Sequence, residues 1–483
     1  MINKVFEGLY PEKLWEYFDE ICQIPRPSKN EEKMVAWLLA FAEKHNLEAK
    51  RDKIGNVVIS KPATPGMENK KTVVLQSHVD MVGEKNNDKK HDFFKDPIVA
   101  VRDGGWIKAD GTTLGADDGM GMAAQLALLT ADDVPHPALE CLFTVDEETG
   151  LTGAFNLEEG FFDGRTLINL DSEDEGELFI GCAGGIDTLA HFTPVFEETP
   201  GGHTAIEIAV TGLKGGHSGD DIHKGLGNAN KILVRYLWQM AREYDFKIAR
   251  LEGGNLRNAI AREASALGVV PSKYKEEARV VLNMLTHEVE QELRHTDHGV
   301  KLYLGSTDLP DKVFSPGFQQ KLLNSLYACP HGVMAWSREI EGLVETSTNL
   351  ASVKMLDDEI LVTTSQRSSV ESARNDLANM VESVFELGGA RVEHSDGYPG
   401  WEPDMESPIL EVAVSSYEKL FGAKPEVKAI HAGLECGLFL QKYPDMDMIS
   451  IGPTIKGAHS PDERVDIETV RKFWDHLLLM LKS

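Results

Sequence analysis
The sequence predicts an α/β domain with a largely parallel sheet, split in the chain by an inserted α+β domain. Three observations carry this reading. Through residue 185, apolar strand-like runs alternate with helical patterns. From 186 to 390 the strands turn half-polar and alternate with long amphipathic helices. From 391 to 483 the first style returns. At 483 residues the chain is also too long for one ordinary core.

Taken in order, "PEKLWEYFDEICQI" and "EEKMVAWLLAFAEKH" have helical periodicity with acidic first turns. "GNVVIS", "TVVLQSH", "ECLFTV" and "TLINLD" are strands, and "MGMAAQLALLT" is a helix between two of them. In the insert, "TAIEIAVTG" and "EILVTTSQ" are strands, and "NKILVRYLWQMARE" and "VESARNDLANMVESVFEL" are helices. The insert holds two sets of strand and helix patterns, the second including "ARVVLNM" and "HEVEQELRH". "EVKAI", "DMISIG" and the closing helix "IETVRKFWDHLLLMLKS" complete the first domain.

Composition narrows the function classes. Hydrophobic residues make up 42%, which suits a globular core rather than disorder. The net charge of -29 would repel a polyanion, so nucleic acid is not an expected partner. Cys22, Cys141, Cys182, Cys329 and Cys436 are widely spread and form no C-x-x-C pair, as expected of a reducing cytoplasm. The first twenty residues carry charges throughout, without the apolar stretch of a signal peptide. The longest early apolar run, "MVAWLLAFA", is nine residues and too short to cross a bilayer. No membrane association is expected.

Polar clusters follow the apolar strands, where open α/β sheets bind ligands. "VVLQSHVD" brings His78 and Asp80, "TLGADDGMG" Asp117 and Asp118, and "FTVDEETG" Glu147 and Glu148. "LINLDSED" ends a strand on Asp171, and "ISIGPTIKGAHSPDE" places His459 in a loop after a late strand. Each cluster alone has a plain use: Asp-Asp-Gly makes turns, and "DEET" starts helices. Five in succession gather two imidazoles and several carboxylates, a mixed donor set that suits zinc, cobalt or manganese. Extended backbone would point Glu147 and Glu148 to opposite sides. One would then ligate a metal while the other exchanges a proton with water. His78 and Asp80 would share one side, so Asp80 can orient the imidazole.

The clusters "SHVD", "GADDG", "DEETG", "NLDSED" and "AHSPDE" resemble those of the co-catalytic zinc metallopeptidases of family twenty, related to carnosinase, aminoacylase and succinyl-diaminopimelate desuccinylase. "IPRPSKNEE", "GADDGMG" and "HAGLECG" resemble most the family's aminoacyl-histidine dipeptidase branch. The resemblance spans essentially the whole chain. It implies a zinc-peptidase-like catalytic domain (1–185 and 391–483) with a central mixed, mostly parallel sheet, and a lid domain over 186–390. It implies two zinc ions, with cobalt or manganese as substitutes. His78, Asp117 and Asp171 would hold one; Asp117, Glu148 and His459 the other, with Asp117 bridging. Asp80 would orient His78, Glu147 would be general base and acid, and Asp118 would be structural.

In the insert, "GLKGGHSGDDI" resembles the lid motif whose histidine, His217, stabilises the oxyanion. Asn258 in "LRNAIAREA" and Arg367 in "TTSQRSS" match positions that hold a substrate carboxylate, a task suited to the guanidinium fork. His431 and Glu435 lie four apart and are read as sharing one face at a helix start, lining the pocket or supporting ligands. The resemblance implies a cytoplasmic dipeptidase for unblocked dipeptides, especially Xaa-His and carnosine, with a metal-bridging hydroxide as nucleophile. An N-acyl amino acid amidohydrolase on the same metals is the alternative, followed by a non-catalytic metal- or peptide-binding relative. A homodimer is compatible with either enzyme.

Overall fold
The computed structural model describes residues 3–483, and its chain divides into two compact units. One takes in the chain up to Gly181, Pro403–Ala429 and Leu434–Ser483; the other holds Cys182–Glu402 and Ile430–Gly433.

The first unit is built on an eight-stranded mixed sheet. Its order is Glu48–Arg51, Val57–Lys61, Leu139–Thr144, Val73–His78, Thr166–Asn169, Asp447–Ser450, Glu177–Cys182 and Glu426–Ile430. The four strands from Leu139–Thr144 to Asp447–Ser450 run parallel, and Val57–Lys61 joins them antiparallel. Leu139–Thr144 is buried along its whole length, as a central parallel strand should be. The helix Ala116–Thr130 is buried on nearly every side, which explains its run of Gly, Ala, Met and Leu. Gln125 inside it donates to the main-chain oxygens of Leu75 and Leu142 and accepts from Ser77 Oγ, clamping two parallel strands together. A four-stranded antiparallel sheet, ordered Ile455–Lys456, Arg464–Asp466, Trp106–Ala109 and Ala100–Asp103, lies in the same unit. The loop between its first two strands, residues 457–463, carries His459.

The second unit has a nine-stranded sheet ordered Lys301–Ser306, His203–Thr211, Ala264–Pro271, Lys247–Gly253, Val344–Met355, Ile360–Ser368, Gly184–Phe192 and Arg391–His394, with Gly332–Trp336 beside Val344–Met355. Its two halves meet at a single residue pair, Gly253 and Val353. The helices Ala229–Glu243, Lys275–Glu292, Pro316–Ala328 and Glu371–Leu387 share one apolar core with the sheet. "ARVVLNM" and "HEVEQE" prove to be parts of one helix, Lys275–Glu292, because their apolar residues continue a single helical stripe. Among the described residues no helix is long and apolar enough to cross a membrane.

Candidate metal centre
The parallel strands of the first unit deliver polar side chains at their carboxyl ends. His78 closes Val73–His78, and Asp80 follows two residues on. Asp117 opens the helix Ala116–Thr130 with non-helical backbone, after Gly115 in the left-handed region at φ 69°. The Asp117–Asp118 peptide is cis. Glu147 and Glu148 follow Leu139–Thr144, and Asp171 follows Thr166–Asn169.

These residues converge. Asp117 Oδ1 lies 3.0 Å from His78 Nε2, and its Oδ2 lies 3.1 Å from His459 Nε2. His78 Nε2 is 3.4 Å from Asp171 Oδ1, and His459 Nε2 is 2.9 Å from Glu148 Oε2. Among the described residues, four groups of three have their donor atoms within 4.8 Å of one another: His78–Asp117–Asp171, Asp117–Glu148–His459, His78–Glu147–Glu148 and Glu31–Asp80–Asp146. Asp117 is common to the first two. These two sets fit a pair of divalent cations: each joins one imidazole to two carboxylates, and the shared carboxylate aims one oxygen at each imidazole. Glu148 Oε1 is also buried without a protein partner.

The electrostatics reflect crowded anions. Burial works against the His78 imidazolium, yet Asp171, Asp117 and Asp80 outweigh it and hold its pKa well above the usual histidine value. Hydrogen bonds to Asp117 and Glu148 raise His459 to about 11. Burial raises Asp171 to about 7 and Glu435 to about 8. Glu147 is pushed well above the carboxylate range by burial, with Asp171, Glu435 and Glu148 adding repulsion. Such clustering of perturbed acids is the electrostatic signature of a functional site.

Several expectations need correction. Glu147 and Glu148 do not sit on extended backbone. The strand ends at Thr144, Asp146 is left-handed at φ 50°, and the carbonyl of Glu147 accepts from the N–H groups of Gly150 and Leu151. Asp146 stabilises this turn by accepting from Thr149 and Thr152 hydroxyls. Asp80 does more than face the imidazole. Its oxygens accept the N–H groups of Glu147 and Glu148 at 3.0 and 3.2 Å, while its approach to His78 Nδ1 is a longer 3.4 Å. His431 and Glu435 do not share a helix face, because the helix begins only at Glu435. Glu435 belongs to the first unit and accepts from Gln76 at 2.6 Å and Thr144 at 2.8 Å. His431 belongs to the second unit, where its Nε2 meets Ser347 Oγ at 2.7 Å. Asp118 turns inward and accepts the Gly121 N–H at 3.0 Å. Arg26, in "IPRPSKNEE", and Glu463, in "AHSPDE", are both buried against the loops of this centre, a placement the sequence does not show.

The remaining candidates lie in the second unit. His217 Nδ1 is 3.1 Å from Asp220 Oδ2, and the His217 N–H donates to Asp221 at 2.6 Å. Asn258 sits on an exposed turn whose carbonyl accepts from the Ser218 N–H at 2.8 Å. His217 and Asn258 both line a groove of about 700 Å³. Arg367 is buried opposite Ser347 in the neighbouring strand; its Nη1 donates to the Tyr398 hydroxyl at 2.8 Å, and its Nε has no protein partner.

The chain is 44% identical over 475 residues to the cytosol non-specific dipeptidase of Escherichia coli K12, covering 98% of both chains. It superimposes on the crystal structure of aminoacylhistidine dipeptidase from Vibrio alginolyticus with a TM-score of 0.92 and 46% identity, covering 99% of this chain and 97% of the other. A tripeptidase from Staphylococcus aureus shares the fold at a TM-score of 0.57 and 16% identity, covering 98% of each chain. The family model for peptidase family M20/M25/M40 matches residues 74–483, and the chain belongs to that family.

Proposed function
We propose that this protein is a cytoplasmic, zinc-dependent dipeptidase that hydrolyses unblocked dipeptides, with Xaa-His peptides and carnosine preferred. The observation that carries the reading is the sharing of Asp117 between the His78 and His459 imidazoles. Two of the relatives named above, those from Escherichia coli and Vibrio alginolyticus, are described as dipeptidases and supply the substrate class.

Two zinc ions held by His78, Asp117 and Asp171 and by Asp117, Glu148 and His459 would polarise the scissile carbonyl and acidify the attacking water. Glu147 would take a proton of that water as the C–O bond forms, and deliver it to the amine nitrogen so that the C–N bond then breaks. A carboxylate suits the task, because the group that accepts the proton must also release it in the second half of the reaction. Asp80, which holds the Glu147 turn and faces the His78 ring at 3.4 Å, keeps base and ligand in register. From the second unit, His217 stabilises the developing oxyanion, and Asn258 and Arg367 bind the substrate carboxylate. We assign that unit the part of a lid.

The test is hydrolysis of Ala-His, carnosine, Gly-Gly and an N-acetyl amino acid, each with and without zinc after exhaustive chelation. Zinc-dependent cleavage of the free dipeptides is the expected result. Preference for the N-acetyl amino acid would make the protein a deacylase, and activity in a preparation free of metal by elemental analysis would overturn the metallohydrolase reading.

A further inference from the structure
Arg26 is a buried cation that spends its donors on main-chain carbonyls. Its Nη1 donates to Val79 O at 2.9 Å and Asp80 O at 2.6 Å, and its Nη2 donates to Gly115 O at 2.5 Å. Val79 and Asp80 directly follow His78, and Gly115 lies two residues before Asp117. The guanidinium therefore ties together the two backbone segments that present those ligands. Space for it exists only because two neighbours lack side chains. A Cβ on Gly115 would stand 2.7 Å from Arg26 Nη2, and one on Gly119 would stand 2.8 Å from the same atom. Main-chain bonds between Met81 and both Arg26 and Ser28 hold the arginine's own segment in place.

Glu463 is the complementary anion, also buried. Its Oε2 accepts from the N–H groups of Leu114 at 2.7 Å and Gly115 at 3.0 Å. Its Oε1 accepts from Ala116 at 2.7 Å and more loosely from Asp117 at 3.4 Å. Four successive N–H groups thus converge on one carboxylate, an arrangement that the left-handed Gly115 permits. Glu463 ends the loop that carries His459, and its own N–H bonds back to Ser460 O at 3.0 Å. This carboxylate ties the His459 loop to the Asp117 loop.

We propose that Arg26 and Glu463 are positioning residues for the metal centre: Arg26 sets the spacing of His78 to Asp117 and Glu463 that of His459 to Asp117, so that each acts chiefly on one subsite. The proposal rests on the metal assignment made above. Its physical basis is that every one of these side-chain bonds ends within three residues of a ligand, so losing them frees the spacing between two ligands while leaving the ligands themselves intact.

The experiment titrates zinc into metal-free wild type, Glu463→Gln and Arg26→Lys against a chromophoric chelator. Bound zinc is counted by elemental analysis, and thermal midpoints are recorded with and without zinc. Gln presents an amide NH₂ to N–H groups that need an acceptor, and Lys cannot span three carbonyls from a planar fork. Wild type should bind two zinc ions. Each variant should keep one tight site and weaken the other by about 10- to 100-fold, the usual cost of removing a group that orients ligands. Saturating zinc should restore much of the lost kcat, and the zinc-induced rise in midpoint should shrink. Should Glu463→Gln not fold, Glu463→Asp replaces it, its shorter arm reaching fewer of the four N–H groups. Two unchanged zinc affinities in the variants, or a fall in midpoint equal with and without zinc, would overturn the proposal. Absence of two sites in the wild type would instead defeat the metal assignment itself.

Discussion
Asp117 and His459 belong to separate loops far apart in sequence, yet Asp117 Oδ2 stands 3.1 Å from His459 Nε2 while the other oxygen of the same carboxylate faces His78. One side chain is therefore common to both ligand sets. Asp117→Asn keeps the shape but gives one oxygen to an amide nitrogen, which cannot ligate. Both metals should be weakened together and activity lost. Asp118→Asn, next in the chain, should retain both, since Asp118 serves the Gly121 N–H. Zinc counts on the two variants decide this; two retained zinc ions in Asp117→Asn would rule out a bridge.

The two adjacent glutamates should separate by the same measurement. Glu148 Oε2 lies 2.9 Å from His459, so Glu148→Gln should release one zinc ion. Glu147→Gln should hold both and lose about 100-fold or more in kcat, the typical contribution of a general base. The reverse pattern would exchange the two roles.

Much of this centre was legible because strand-end polar residues stand out against apolar runs. His78, Glu148 and Asp171 stand at or just beyond the ends of such runs, Asp117 in a Gly-rich turn and His459 in a later loop, and the structure brings them together. Glu147 and Glu148 depart from strand alternation because that alternation stops where the backbone turns, here at left-handed Asp146. Likewise, spacing of four suggested one helix face for His431 and Glu435, but their segment is still irregular at His431. Arg26 lies in "IPRPSKNEE" and Glu463 closes "AHSPDE", but neither motif shows what its charged side chain binds. Their partners are main-chain groups brought close by tertiary folding, and main-chain groups look alike at every position in a sequence.

Arg367 offers a test of substrate recognition. Its Nε is buried without a protein partner while Nη1 is held by Tyr398, which leaves part of the fork for a ligand. Arg367→Lys keeps the charge and removes the bidentate geometry. Free dipeptides should then lose much more in kcat/KM than their C-terminal amides. Equal losses on both would move Arg367 away from the substrate carboxylate.

The last expectation concerns pH and stability. Burial, with the nearby Arg367 charge, lowers the His431 pKa to about 3, so the folded protein keeps this imidazole neutral. An unfolded chain would protonate it from about pH 6.5 downward. Below that pH the unfolded state binds a proton that the folded state refuses, so stability falls as pH falls, by at most about 1.4 kcal/mol per unit for this one group. Above pH 6.5 both states are neutral and the contribution is flat. His431→Gln removes the proton site while leaving an amide to meet Ser347, whose hydroxyl is 2.7 Å from the ring. Urea unfolding of metal-free protein, kept so by chelator, should be compared at pH 7.5 and pH 5.0. Wild type should lose about 2 kcal/mol more than the variant between these conditions, as expected from one proton over that interval. Metal loss at low pH cannot mimic the difference, since both proteins start without metal. Curves that fall in parallel would mean that His431 titrates alike in the folded and unfolded chains, and that its burial carries no electrostatic cost.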